Sequence, residues 1–130
     1  MNQTVETVFP DIAIPSPTYS VAQAPDKDIY IGTESNGLYI YSENWKLKKH
    51  VPIDGIIATI LPDNNGDIWL GLDETGICLF NKNKQTFTWL HKDNTNLNNN
   101  SIRTFVSYGD SSILVGTFRG LNILNKKELT

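Results

Sequence analysis

Asp67-Ile68-Trp69-Leu70-Gly71-Leu72, followed after a three-residue turn by Gly76-Ile77-Cys78-Leu79-Phe80, is the stretch on which the fold turns. The same pattern stands at Asp28-Ile29-Tyr30-Ile31-Gly32-Thr33 with Gly37-Leu38-Tyr39-Ile40-Tyr41. It returns at Ser112-Ile113-Leu114-Val115-Gly116-Thr117 with Gly120-Leu121-Asn122-Ile123-Leu124. Gly32 and Gly71 lie 39 residues apart, and Gly71 and Gly116 lie 45 apart. That period suits a four-stranded propeller blade and exceeds most leucine-rich and ankyrin-type repeats.

Outward from these cores, each unit resolves into short runs of Val, Ile, Thr and aromatic residues, the composition a pleated, half-buried surface prefers. Strands are expected over 19–24, 29–33, 38–41 and 47–53 in the first unit and over 56–61, 68–72, 77–80 and 86–91 in the second. The third unit has 102–108, 113–117 and 121–124, and no fourth run follows. No segment shows a helical apolar period over ten or more residues. The fold class is all-β: three four-stranded antiparallel blades, about half a propeller. The 130 residues form one segment, with blades at 18–53, 54–92 and 101–126. Residues 4–9 alternate as a strand would and end at Pro10, so they are expected to supply the outer strand that the third blade lacks. Asn36-Gly37 and Asn65-Gly66 mark hairpin turns. Gly32, Gly71 and Gly116 are structural positions, where a neighbouring backbone approaches closely or a bulge is required. Trp69 belongs to the buried second strand and is expected to pack between blades.

Composition narrows the function. Hydrophobic residues make 39% of the chain and charged residues 19%, an ordinary globular balance. The net charge of −3 leaves no positive stripe of the kind a nucleic acid needs; Lys46, Lys48 and Lys49 alternate with apolar residues like the wet face of a strand. Cys78 is the only cysteine, which excludes an intrachain disulfide and reads as a small core residue. No apolar run approaches the roughly 18 residues of a membrane-spanning helix, and the first residues lack the basic end and apolar stretch of a secretory signal.

The chemistry-bearing side chains mostly have plainer readings. Asp63, Asn65, Asp67 and Glu74 take positions one, three, five and twelve of a calcium loop, but Ile68 stands where that loop needs glycine, so a hairpin is the better reading. His50 and His91 end fourth strands of different blades and make no metal site. Asp73-Glu74 is an adjacent acidic pair on a turn, whereas glycoside hydrolysis needs two carboxylates at a set separation. No nucleophile-elbow, zinc-protease or phosphate-loop motif occurs. Catalytic residues, metal ligands and cofactors are therefore expected to be none. The asparagines over 94–100 are read as turn caps. The loops between second and third strands open onto one face of a propeller, which makes Glu34, Asn36, Asp73, Glu74, Phe118 and Arg119 the candidates for ligand contact. Trp89 is added as a possible sugar-stacking platform.

The run Asp63-Asn64-Asn65-Gly66-Asp67-Ile68-Trp69-Leu70-Gly71, with Leu97-Asn98-Asn99-Asn100-Ser101-Ile102, Val115-Gly116-Thr117 and Gly120-Leu121-Asn122, resembles the two-component regulator propeller repeat. Leu72 replaces that pattern's threonine, Tyr30 and Leu114 its tryptophan, and Ser111-Ser112 a glycine-containing turn. The resemblance implies the sensor region of a hybrid two-component system: not an enzyme, periplasmic or otherwise extracytoplasmic, and responsive to oligosaccharides. The chain has no kinase, receiver or DNA-binding segment, which implies an excised or separately encoded piece of such a protein. The alternative is a structural or assembly-mediating propeller fragment without its own ligand. Three blades cannot close a ring, so self-association into a six-bladed ring is expected.

Overall fold

The computed structural model describes residues 4–128 and contains eleven strands, with no helix among the described residues. Blade 1 holds β1 (Thr18–Gln23), β2 (Ile29–Thr33), β3 (Leu38–Tyr41) and β4 (Leu47–Val51), hydrogen-bonded in that order. Blade 2 holds β5 (Ile57–Pro62), β6 (Asp67–Leu72), β7 (Gly76–Asn81) and β8 (Thr86–Leu90). Blade 3 holds β9 (Ile102–Tyr108), β10 (Ser112–Thr117) and β11 (Gly120–Asn125), and every neighbouring pair is antiparallel. The eleven strands expected within the three blades are all present, each end within two residues of its place.

Alternation along each second strand sends one set of side chains to each neighbouring blade. Tyr30, Leu38 and Ile40 meet Ile57, Ile68, Leu70 and Cys78 in the core between blades 1 and 2. Trp69 and Ile77 meet Ile102, Phe105, Ile113 and Val115 between blades 2 and 3. Trp69 is 1% exposed, as the repeat implied, and its indole Nε1 donates to Asp63 Oδ2 at 3.1 Å. Cys78 is fully buried, and burial pushes its thiol pKa up to about 12, so it acts as a small apolar side chain.

Glycine in the second strands has a steric cause. A Cβ on Gly32 would lie 2.6 Å from Ile57 Cγ2, and one on Gly71 would lie 2.4 Å from Ile102 Cγ2. In both cases the first residue of the next blade's inner strand occupies the space a side chain would need.

One expectation changes. Residues 4–9 are exposed and form no strand within the single chain, so β11 keeps an open edge. The reason lies in the segment that follows them. It is held to blade 1, not blade 3: Asp11 N donates to Trp45 O at 3.0 Å, and Leu47 N to Asp11 Oδ1 at 2.8 Å. Tyr41 Oη donates to Ile12 O at 2.5 Å. Ile14 packs with Trp45 and Leu47 on Ile29, Ile31, Tyr39 and Tyr41, burying the outer part of blade 1's free face. Tyr19 and Val21 of β1 remain exposed on that face.

Candidate functional site

The loops between second and third strands share one anchor. The first loop residue donates its backbone N–H to the carbonyl just ahead of the inner strand: Glu34 to Pro17 at 2.9 Å, Asp73 to Ile56 at 3.0 Å, Phe118 to Ser101 at 3.0 Å. The three loops therefore leave their blades at the same end and in the same way. In blades 1 and 3 the threonine that closes the repeat core also latches its loop. Thr33 Oγ1 donates to Gly37 O at 2.7 Å and accepts from Asn36 N at 2.9 Å. Thr117 Oγ1 lies 3.2 Å from Gly120 O and accepts from Arg119 N at 3.1 Å. Blade 2 has Leu72 there, buried in the core, and its loop turns instead through Glu74 at φ 72°.

Glu34, Glu74, Phe118 and Arg119 are exposed at this end, with Asp73 half-buried. Asn36 is committed elsewhere: its Nδ2 donates to Tyr39 Oη at 2.5 Å, and its carbonyl lies 2.6 Å from His50 Nε2. His50 stacks on Tyr39 with ring centroids 4.3 Å apart, which gives that histidine a packing role and makes Asn36 a loop-holding residue. Trp89 lies apart from the loops. It sits on β8, the outermost strand of blade 2, opposite Cys78, and its carbonyl accepts from Asn94 Nδ2 at 2.9 Å.

Arg103 was not singled out in the sequence. It follows Ile102 on the inner strand, and its guanidinium lies 5.8 Å from the centroid of the Phe118 ring, within cation–π range. Ile102 and Phe105 are both buried with two exposed residues between them, because a bulge at Arg103 interrupts the alternation, so period two alone does not place this side chain. Asn98, a turn cap by its sequence, joins the connector to this loop: its Oδ1 accepts from Thr117 Oγ1 at 2.9 Å, and its Nδ2 reaches Arg119 O at 3.4 Å. Asn94 and Asn99 cap turns, and Asn100 ties the two ends of the connector together. Asn94 Oδ1 accepts from His91 N, Asn99 Oδ1 from Ser101 N and Asn100 Oδ1 from Lys92 N, each at 2.8 Å.

The acidic stretch is a hairpin. Asp63 N donates to Asp67 O at 2.8 Å and Asp67 N to Asn65 Oδ1 at 3.1 Å, closing the β5–β6 turn. Asp63's carboxylate is taken by Trp69 Nε1 and by Lys126 Nζ at 3.1 Å, a link from blade 2 to blade 3. Glu74 follows the other end of the six-residue β6, about 20 Å away at roughly 3.3 Å per residue. Residues 63–67 and Glu74 cannot wrap one ion.

No family model and no curated protein matches the chain. Solved structures do. PorZ, a surface component of the type-IX secretion system of Porphyromonas gingivalis, superimposes with a TM-score of 0.74 at 18% identity, over 88% of this chain and 18% of its own. The extracellular domain of the hybrid two-component system BT4673 of B. thetaiotaomicron gives 0.72 at 20% identity, over 87% of this chain and 17% of that one. The extracellular domain of the hybrid two-component system BT3049 of the same organism gives 0.63 at 32% identity, over 85% and 14%. The chain thus spans less than a fifth of the length of each of these proteins. Its likeness to extracellular domains of hybrid two-component systems, which the repeat implied, is present in the fold and, for BT3049, in the sequence as well.

Proposed function

We propose that the chain is a non-enzymatic sensor or binding segment of an extracytoplasmic propeller, and that its loop rim contacts an oligosaccharide. The observation that carries this is the shared backbone anchor, which delivers Glu34, Asp73, Glu74, Phe118 and Arg119 to the same end of consecutive blades. A sugar presents hydroxyl groups that carboxylates and a guanidinium bind through charge-assisted hydrogen bonds, and an apolar ring face that an aromatic covers. Phe118 with Arg103 over its ring offers such a face, and Arg119 stands beside it. The similarity to extracellular domains of two-component systems supports both the compartment and the sensing role.

Binding chemistry fits this rim better than hydrolysis. Asp73 and Glu74 are adjacent on one turn, an arrangement unlike the facing pair of carboxylates that glycoside hydrolysis uses. The test is calorimetric titration of the chain with a panel of oligosaccharides from plant and host glycans. Heat from at least one sugar, lost in Arg119→Ala and Phe118→Ala with unchanged melting temperature, is the expected result. Silence across the panel at millimolar sugar, or heat indifferent to both substitutions, would overturn the assignment.

A further inference from the structure

The two ends of the three-blade stack are chemically complementary. Among the described residues β11 has a neighbour on one side only, whereas β3 and β7 each carry a fourth strand on the corresponding edge. Beside β11 lies a groove of about 590 Å³, lined by Thr88, Trp89 and Leu90 of β8 and by Asn122, Ile123 and Leu124 of β11. It runs beside a free strand edge, with which an extended segment could pair through backbone hydrogen bonds.

The repeat register says which segment fits. Gly32 pairs with Leu38, and Leu38 with Val51, which Pro52 follows. Gly71 pairs with Ile77, and Ile77 with Leu90. Gly116 pairs with Leu121, which has no further strand partner among the described residues. The chain holds one more run of this kind: residues 4–9, ending in Phe9 ahead of Pro10 as Val51 stands ahead of Pro52. Leu38 and Ile77 are 0% and 1% exposed, yet Leu121 is 65% exposed, and Phe9 is 82% exposed where Val51 is 2%.

The flanking faces agree. Val106, Tyr108, Leu121 and Ile123 are exposed together on the outer face of blade 3, and Tyr19 and Val21 on that of blade 1. A Cβ on Gly116 would meet only Thr104 of its own blade, since among the described residues no inner strand of a further blade lies over it. Thr18 stands opposite Thr33 as Ile57 stands opposite Leu72 and Ile102 opposite Thr117, so a following blade 1 would set Thr18 over Gly116. Residues 10–17 already lie on blade 1, with Ile14 in its apolar cluster, much as Leu97 of the connector over 91–101 joins the core between blades 2 and 3.

We propose that two copies of this chain close head to tail into a six-bladed ring, and that residues 4–9 of each form the fourth strand of blade 3 of the other, with Phe9 opposite Leu121. A two-fold axis through the ring satisfies both ends at once. Each end buries one blade face, and the ring has two such seams, against which a stable dimer needs about 1,600 Å² in total. This goes beyond the binding role and is independent of it.

Light scattering on the eluting chain at micromolar concentration measures the stoichiometry, and a cysteine pair measures the register. Twice the 14.6 kDa chain mass is expected, falling to the chain mass when residues 1–9 are deleted, with the β-sheet circular dichroism retained. Phe9→Cys combined with Leu121→Cys should oxidise to a covalent dimer, while Cys78, fully buried, stays reduced. A monodisperse species of 14.6 kDa, a cross-link within one chain, or a dimer in which the pair does not oxidise would overturn the proposal.

Discussion

Ile102 of β9 sets its Cγ2 2.4 Å from where a Cβ on Gly71 would stand, so the inner strand of blade 3 is seated directly on the backbone of blade 2. Gly71→Ala must push the two blades apart or displace both Ile102 and Thr59, whose methyl lies 2.6 Å from the same point. Overpacking of this kind costs about 1–3 kcal/mol. Gly116→Ala meets only the Thr104 methyl, at 2.7 Å, which can turn away. Denaturant titration should therefore show a clearly larger loss for Gly71→Ala than for Gly116→Ala. Equal losses would mean that blade contact is not what fixes the glycine.

Trp69 joins three things: the core between blades 2 and 3, the hairpin through Asp63, and, through Asp63, Lys126 of blade 3. Trp69→Ala should cost about 3–5 kcal/mol, as for other buried aromatics. Trp69→Phe keeps most of the packing and loses the indole hydrogen bond, for a cost nearer 1 kcal/mol. Equilibrium unfolding in urea measures both. A loss below about 1 kcal/mol in the alanine variant would contradict the burial of this side chain.

Asp26 and Lys82 tie the first hairpin turn of blade 1 to the outer turn of blade 2. The hydrogen bond from Lys82 holds the Asp26 carboxyl below its ordinary pKa, against a smaller opposing effect of burial. The folded value lies below the unfolded one of about 3.9. Its contribution is therefore complete above that value and fades as pH falls through the folded value. At the other limb, the same bond raises the Lys82 pKa, so that contribution disappears as pH rises through the raised value. Asp26→Asn should lower the melting temperature slightly at neutral pH, with the gap to wild type closing in acid. The gap stays small because the carboxylate is 45% exposed and screened by salt. A gap that widens as pH falls would reverse the assignment.

Chelation should leave the melting temperature unchanged. Both Asp63 oxygens are within reach of Lys126, and one also accepts from Trp69. Asp67 accepts from Asn81 Nδ2 at 2.7 Å. A fall with EDTA, restored by calcium, would show that these carboxylates hold an ion instead of the hairpin.

The sequence by itself determined the blades. Period-two alternation, Asn-Gly turns and a glycine recurring after each second strand are local or repeated signals, and they located eleven strands and the hairpin at Asp63. It also placed the candidate loops at one end, because equivalent positions of a repeat fall at equivalent ends of its strands. Contacts between distant residues were beyond it. Arg103 is the extra residue of a bulge where β9 pairs with Gly116 and Thr117, and it meets the Phe118 ring of the loop that follows β10. That Asn36 holds its own loop was not legible either, because Tyr39 and His50, on adjoining strands, engage its side chain and carbonyl. The fate of residues 4–9 was decided the same way. Their alternation marks a strand in any setting, but a strand needs an edge, and tertiary structure ties the following residues to blade 1 while the free edge lies on blade 3.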